Sequence, residues 1–241
     1  LMLRIFLIFS LNYFCLNIHC SSQSNFTNKY GLVVIKSIDS FKSSISVDTN
    51  KRMVNILNCL PGIFLDLRYA TTNNFLGRKL YPQIPTTYIR LAAAAALAKV
   101  VTDLNVAGLT IKIFDAYRPY SVTEEMWEAV KDARYAADPA KGSGHNRGIA
   151  VDLTLVNIKT GEELLMGTDF DNFSDTAHTD FSNLPDQVLE NRKKLQRVME
   201  KCGFVSLDTE WWHFSLPDAQ HYELLDLTFN VLSKLNNKKI K

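Results

Sequence analysis

Helix-forming and strand-forming segments alternate along this chain without the regular spacing of a doubly wound fold, and that order restricts the architecture more than any other feature. Residues 86–104, TTYIRLAAAAALAKVVTDL, are rich in strong helix formers and run into NVAG, a stop signal. LTIKIFDAY (109–117) follows, alternating and β-branched, and reads as a strand that ends at Arg118-Pro119. Pro119 and Ser121 open a second helix through EEMWEAVKDARYA, with acids near its first turn where the helix dipole favours them. IAVDLTLVNI (149–158) is another strand, left by a turn at Thr160-Gly161. A polar, Asp-rich loop runs from Met166 to Asn183. LPDQVLENRKKLQRVMEKCG then forms an amphipathic helix closed by Gly203, and FVSLDTEWWHFSL a final pair of strands. The expectation is a single α+β domain with a central antiparallel sheet flanked by helices.

The amino end is of another kind. LMLRIFLIFSLNYFCLNIHCSSQ has one cation, Arg4, no acid, and an apolar run from Ile5 to Leu16 before small polar residues. That is the pattern of a secretory leader, too short to span a membrane comfortably as a mature helix. Residues 1–22 are therefore expected to be a signal peptide or, with Cys20 as the modified residue, a lipoprotein leader, although His19 is bulky where the latter wants a small side chain. Export to a bacterial periplasm or cell envelope follows, or a cytoplasmic location if the leader does not function. Membrane contact is expected only through that lipid or an uncleaved leader. Residues 23–55, rich in Ser, Asn and Lys, read as a linker or N-terminal extension, and 56–241 as the body. A net charge of +2 gives no reason to expect nucleic acid as a partner. Of four cysteines, Cys59 and Cys202 belong to the body, in no metal-binding spacing, and an oxidising compartment would permit a bridge between them.

Three segments end strands with ionisable side chains: DAYRP (115–119), SGHNRGIAVD (143–152) and EWWHF (210–214). If His145, Asp152 and His213 converge, two imidazoles and a carboxylate make a donor set suited to Zn²⁺, with a fourth position open to water as catalytic zinc sites require. Asp152 stands among Ala150, Val151 and Leu153, where an unpaired carboxylate is costly and a metal accounts for it. Gly144 and Gly148 let the backbone bend around the ligand, as they would in a simple turn. Glu210 lies three residues before His213, an offset that puts the two on opposite faces of a regular strand. A bulge or bend through Trp211-Trp212 is needed if Glu210 is to serve the same site as general base. Arg118 cannot be a base, but its guanidinium suits a carbonyl oxygen that is becoming an oxyanion. Each of these residues also has an ordinary reading taken singly, as surface ion pair, core aromatic or solvated acid; their joint occurrence does not.

SGHNRGIAVD resembles the SxHxxGxAxD zinc motif of the M15 family of zinc D,D-peptidases, and EWWHF resembles that family's ExxH element. DLRYATTNNFLGRKLY (66–81) and DAYRP narrow the resemblance to the D-alanyl-D-alanine dipeptidase, VanX-like branch, over roughly residues 56–215. The resemblance implies a Hedgehog/D,D-peptidase-like fold with one Zn²⁺ per chain on His145, Asp152 and His213. It further implies Glu210 as catalytic base, Arg118 as transition-state stabiliser, and Asp171 in GTDFDNFSD as the partner of a dipeptide's ammonium. Tyr69 lines the same pocket in this reading, Ser143 makes a polar contact to substrate, and His178 stays outside the ligand set with a hydrogen-bonding role in its loop. The implied reaction is hydrolysis of a small D,D-dipeptide, D-alanyl-D-alanine, to two D-alanines. The alternative is a D,D-carboxypeptidase or wall endopeptidase acting on longer peptidoglycan peptides. A binding module that has lost turnover would need neither Glu210 nor Arg118.

Overall fold

Residues 27–237 are described in a computed structural model, so the leader assigned to 1–22, with Cys15 and Cys20, lies outside the described residues. From the amino end come β1 (Val34–Ile35), α1 (Ile38–Val47), β2 (Met53–Asn55), α2 (Ile56–Cys59) and β3 (Phe64–Leu65). Next are β4 (Tyr88–Arg90), α3 (Leu91–Asn105), β5 (Leu109–Asp115), α4 (Tyr120–Val130), α5 (Gly144–Arg147) and β6 (Ala150–Asn157). The chain closes with α6 (Asp186–Lys201), β7 (Val205–Leu207), β8 (Glu210–Ser215), β9 (Leu224–Leu225) and α7 (Phe229–Asn237).

The architecture is α+β. Five strands form the main sheet in the order β3-β5-β6-β8-β7. β5, β6, β8 and β7 pair antiparallel, but β3 runs parallel to β5, so the sheet is mixed rather than wholly antiparallel. The parallel edge has a topological cause: the path from β3 to β5 crosses over through α3, and only such a crossover returns a strand in the same direction. Two small sheets, β1-β9 (parallel) and β2-β4 (antiparallel), lie apart from it.

Helix α3 begins later than its alanine-rich run suggests. Tyr88, Ile89 and Arg90 are all buried and pair with β2 before the helix starts at Leu91. Ala93, Ala94, Leu97, Val100, Val101 and Leu104 give α3 one buried face, and Gly108 at φ 70° ends the segment as expected of its stop signal. β6 is buried from Ala150 to Val156, which explains why its sequence is nearly all apolar and why Asp152 within it demands a partner.

The segment read as a linker is part of the fold from Val34 onward. Phe41 of α1 is 2 % exposed and belongs to the core, while Met53, Val54 and Asn55 pair with β4. Its short apolar pieces are too few to show a period, yet Phe41 and Met53 are buried and Val34–Ile35 pairs with the distant strand β9. The buried guanidinium of Arg90 ties these parts together: it donates to the carbonyls of Lys51, Arg147 and Glu223. Among the described residues Cys59 and Cys202 are free, half-buried thiols, and no bridge joins them.

Candidate metal centre and its cavity

Register places the site. Asp152 of β6 stands opposite His213 on β8 and opposite Asp115 on β5, so three polar side chains share one face at the end of the sheet. His145 arrives from the four-residue helix α5. Ser143 caps that helix: its Oγ accepts the His145 N–H at 3.2 Å, while the Asn146 side chain accepts the Ser143 N–H at 3.0 Å. Gly148 closes it at φ 70°, and a Cβ there would sit 2.7 Å from the Met53 Sδ. At Gly144 a Cβ would meet Ser215 Oγ at 2.8 Å, so the turn is pressed onto β8 where only glycine fits. Replacing Gly148 by Ala is expected to cost about 1–2 kcal/mol through the left-handed backbone alone. Urea unfolding of the two proteins side by side checks it, and an unchanged midpoint would mean the turn relaxes freely.

Three donors converge. One atom from each of His145, Asp152 and His213 lies within 4.8 Å of the others. His145 Nδ1 donates to the Ala116 carbonyl at 2.7 Å, which fixes the tautomer and leaves Nε2 with its lone pair toward the centre. That nitrogen is 3.2 Å from His213 Nδ1 and 3.3 Å from Asp152 Oδ2, and His213 Nδ1 is 2.9 Å from Asp152 Oδ1. Two ring nitrogens and a carboxylate aimed at one point need a proton or a cation between them. The donor chemistry fits Zn²⁺. Burial opposes ionisation of Asp152, yet the two histidines hold its carboxyl well below the usual range. For His213 burial acts downward, but the Asp152 hydrogen bond and charge outweigh it and raise its pKa.

Glu210 reaches this face by the irregularity its spacing required. Across one step of β7, from Ser206 to Leu207, the partner on β8 moves from Phe214 to Glu210. Its Oε2 lies 3.9 Å from His213 Nδ1, and burial pushes its carboxyl up to about 7. Arg118 is anchored on the other side: Nε and Nη2 donate to Asp115 Oδ2 at 3.0 and 2.9 Å, and Nη2 stands 3.9 Å from Asp152 Oδ2. Asp115 is fully buried and also accepts from the Tyr81 hydroxyl at 3.0 Å. Sequence reasoning quoted Asp115 without giving it a task. Its signal was available, since Asp115 and Arg118 are three apart at a strand end.

A cavity of roughly 410 Å³ opens over these groups and is also lined by Tyr69, Ser143 and Asp171. Asp171 has a left-handed backbone, φ 60°, in the long loop. Its Oδ1 accepts the Tyr69 hydroxyl at 2.8 Å, whereas its buried Oδ2 has no partner among the described residues. Burial pushes its carboxyl up to about 8 despite the tyrosine. Arg192 of α6 holds the loop by donating to the carbonyls of Met166, Thr176 and His178, a tether the sequence did not reveal. His178 is absent from the converging donors; its backbone joins the loop network, and its Nε2 is 3.9 Å from Asp175.

Comparison with known proteins agrees in one direction. The family model described as D-ala-D-ala dipeptidase, of peptidase M15, matches residues 49–233. The D-alanyl-D-alanine dipeptidase of Escherichia coli K12 is 36% identical over 173 residues, 72% of this chain and 89% of that protein. Enzymes of the same description from Streptomyces coelicolor (31%) and Enterococcus faecalis (30%) each align over 67% of this chain and 90% of their own length.

Proposed function

Because the chain belongs to the D-Ala-D-Ala dipeptidase family of M15 peptidases, we infer that it is a zinc metallopeptidase hydrolysing D-alanyl-D-alanine to two molecules of D-alanine. One observation carries the reading: the three converging donors share a cavity with Glu210, Arg118 and the unpartnered Oδ2 of Asp171. His145, Asp152 and His213 would hold the ion. Bound Zn²⁺ supplies the Lewis acidity that activates water and polarises a peptide carbonyl.

The chain's own residues do the rest. Glu210 takes the proton of the attacking water and returns one to the departing amine, as its place beside His213 allows. Arg118, fixed beforehand by Asp115, meets the charge that develops on the carbonyl oxygen without further reorganisation. Asp171 pairs with the free ammonium through Oδ2, and Tyr69 keeps the other oxygen occupied. Ser143 accepts from His145 through its oxygen, so its hydroxyl proton is available to the substrate. Ala133, Ala136 and Ala137 line the cavity with short side chains, which suits a substrate whose side chains are methyl groups.

Export, with dipeptide supplied by turnover of cell-wall peptide, rests on the apolar run at residues 5–16. Among the described residues no helix is long and apolar enough to cross a membrane. Fractionation of the natural host, with the mature amino terminus determined, tests this part separately.

The specificity is tested by D-alanine release from D-Ala-D-Ala and from its N-acetylated form. The buried carboxylate left unmet by a blocked amine is expected to slow the latter by about 10²-fold or more. Asp171→Asn is expected to remove most of that difference. Equal rates on both substrates with the natural protein would remove the ammonium reading and favour longer peptidoglycan peptides.

A further inference from the structure

A dipeptide is a zwitterion, and the function proposed above provides for only one of its charged ends. The present inference rests on that function and concerns the other end. The cavity lining includes the acids Asp152, Asp171, Asp208 and Glu210 against two guanidiniums, Arg118 and Arg134. A free carboxylate entering among so many acids needs a cation at hand. Arg118 is already engaged, with Nε and Nη2 on Asp115 and Nη2 near Asp152, and its side chain is 9 % exposed.

Arg134 is differently placed. Its side chain is 68% exposed, and among the described residues its one ion-pair partner is Asp132 in the same loop. Nε lies 3.0 and 3.2 Å from the two Asp132 oxygens and Nη2 2.6 Å from one, which leaves Nη1 outside the pair. Ion pairs in contact with water hold weakly, so this one exchanges readily for a carboxylate arriving with substrate. The loop is also coupled to the opposite wall. Tyr135 stacks on Phe173 at 4.8 Å and 23°, two residues beyond Asp171. The aromatic contact thus ties the segment bearing Arg134 to the segment bearing the unpartnered carboxylate.

We propose that Arg134 is the specificity residue for the free carboxylate of the second D-residue, so that the cavity reads the dipeptide from both ends, ammonium at Asp171 and carboxylate at Arg134. The planar fork of a guanidinium matches a carboxylate in a way that a lysine does only as a point charge. Substrates blocked at the C-terminus are then poor for a reason independent of Asp171.

Steady-state kinetics of the zinc-loaded protein on D-Ala-D-Ala and on its C-terminal amide test this, with Arg134→Gln, Arg134→Lys and Asp132→Asn beside the natural chain. The natural chain is expected to prefer the acid by about tenfold or more in kcat/KM, the worth of one charge-assisted hydrogen bond. Arg134→Gln should raise KM for the acid by a similar factor, with kcat changing by less than about threefold and the preference over the amide falling toward one. Arg134→Lys should recover part of the loss. Asp132→Asn, which frees the guanidinium, should leave KM for the acid unchanged or lower it. A merely structural Arg134 would depress both substrates alike, and that result, or an unaltered KM for the acid, overturns the proposal. So does a rise in KM with Asp132→Asn as large as with Arg134→Gln. Turnover of D-Ala-D-Ala that ignores Arg134 removes this inference alone; a zinc-bound natural chain inactive on both substrates removes the proposed function and this inference with it.

Discussion

Glu210→Gln is expected to lower kcat on D-Ala-D-Ala by roughly 10³-fold, within the range typical for loss of a general acid–base group, while the protein keeps its zinc. The separation of the two effects follows from the geometry. Glu210 is outside the converging donor set, and its Oε2 approaches His213 Nδ1 no nearer than 3.9 Å. Glutamine has the same size and leaves no hole in a side chain that is 20 % exposed. What disappears is the carboxylate 3.9 Å from His213, placed to take a proton from water and give it back. Metal content by elemental analysis and turnover by D-alanine release read the two consequences independently. Loss of zinc together with activity would make Glu210 part of the metal shell; retention of activity would mean that another group serves as base.

Much of this site was legible because its parts are short and local. The spacing of His145 and Asp152 in SGHNRGIAVD and the EWWHF segment are visible without knowledge of the fold, and the bulge needed if Glu210 is to turn toward His213 could be inferred from strand parity alone. The long-range parts were not legible. Arg192 holds the Asp171 loop through three carbonyls, and Arg90 joins three distant backbone segments, yet neither stands in a pattern that distinguishes it from an ordinary surface arginine. Residues 34–55 failed for a related reason. Two- and three-residue strands and a helix with one fully buried residue, Phe41, carry too little periodicity to be read before their partners are known. The parallel edge strand β3 was hidden likewise, since Phe64–Leu65 says nothing of its direction until the crossover through α3 is seen.

Removal of Asp152 is expected to abolish both zinc binding and activity without unfolding the chain, and this has the largest effect among substitutions of the site. Asp152 is the only carboxylate in the donor set, and its oxygens approach both histidines, at 2.9 and 3.3 Å. Asp152→Ala therefore leaves two imidazoles and no carboxylate, a pair that binds zinc far more weakly than the three-donor set. The fold should survive, because β6 is held by backbone pairing to β5 and β8, and Arg118 retains Asp115. Thermal unfolding separates the causes. Saturating zinc at a thousand times its dissociation constant should stabilise the natural chain by about 4 kcal/mol and the variant by almost nothing, while the two metal-free proteins unfold at similar temperatures. A metal-free variant already unfolded would assign Asp152 to the core rather than to the metal. Equal stabilisation by zinc in both proteins would place the metal elsewhere, and with it the origin of any hydrolysis that Glu210 assists.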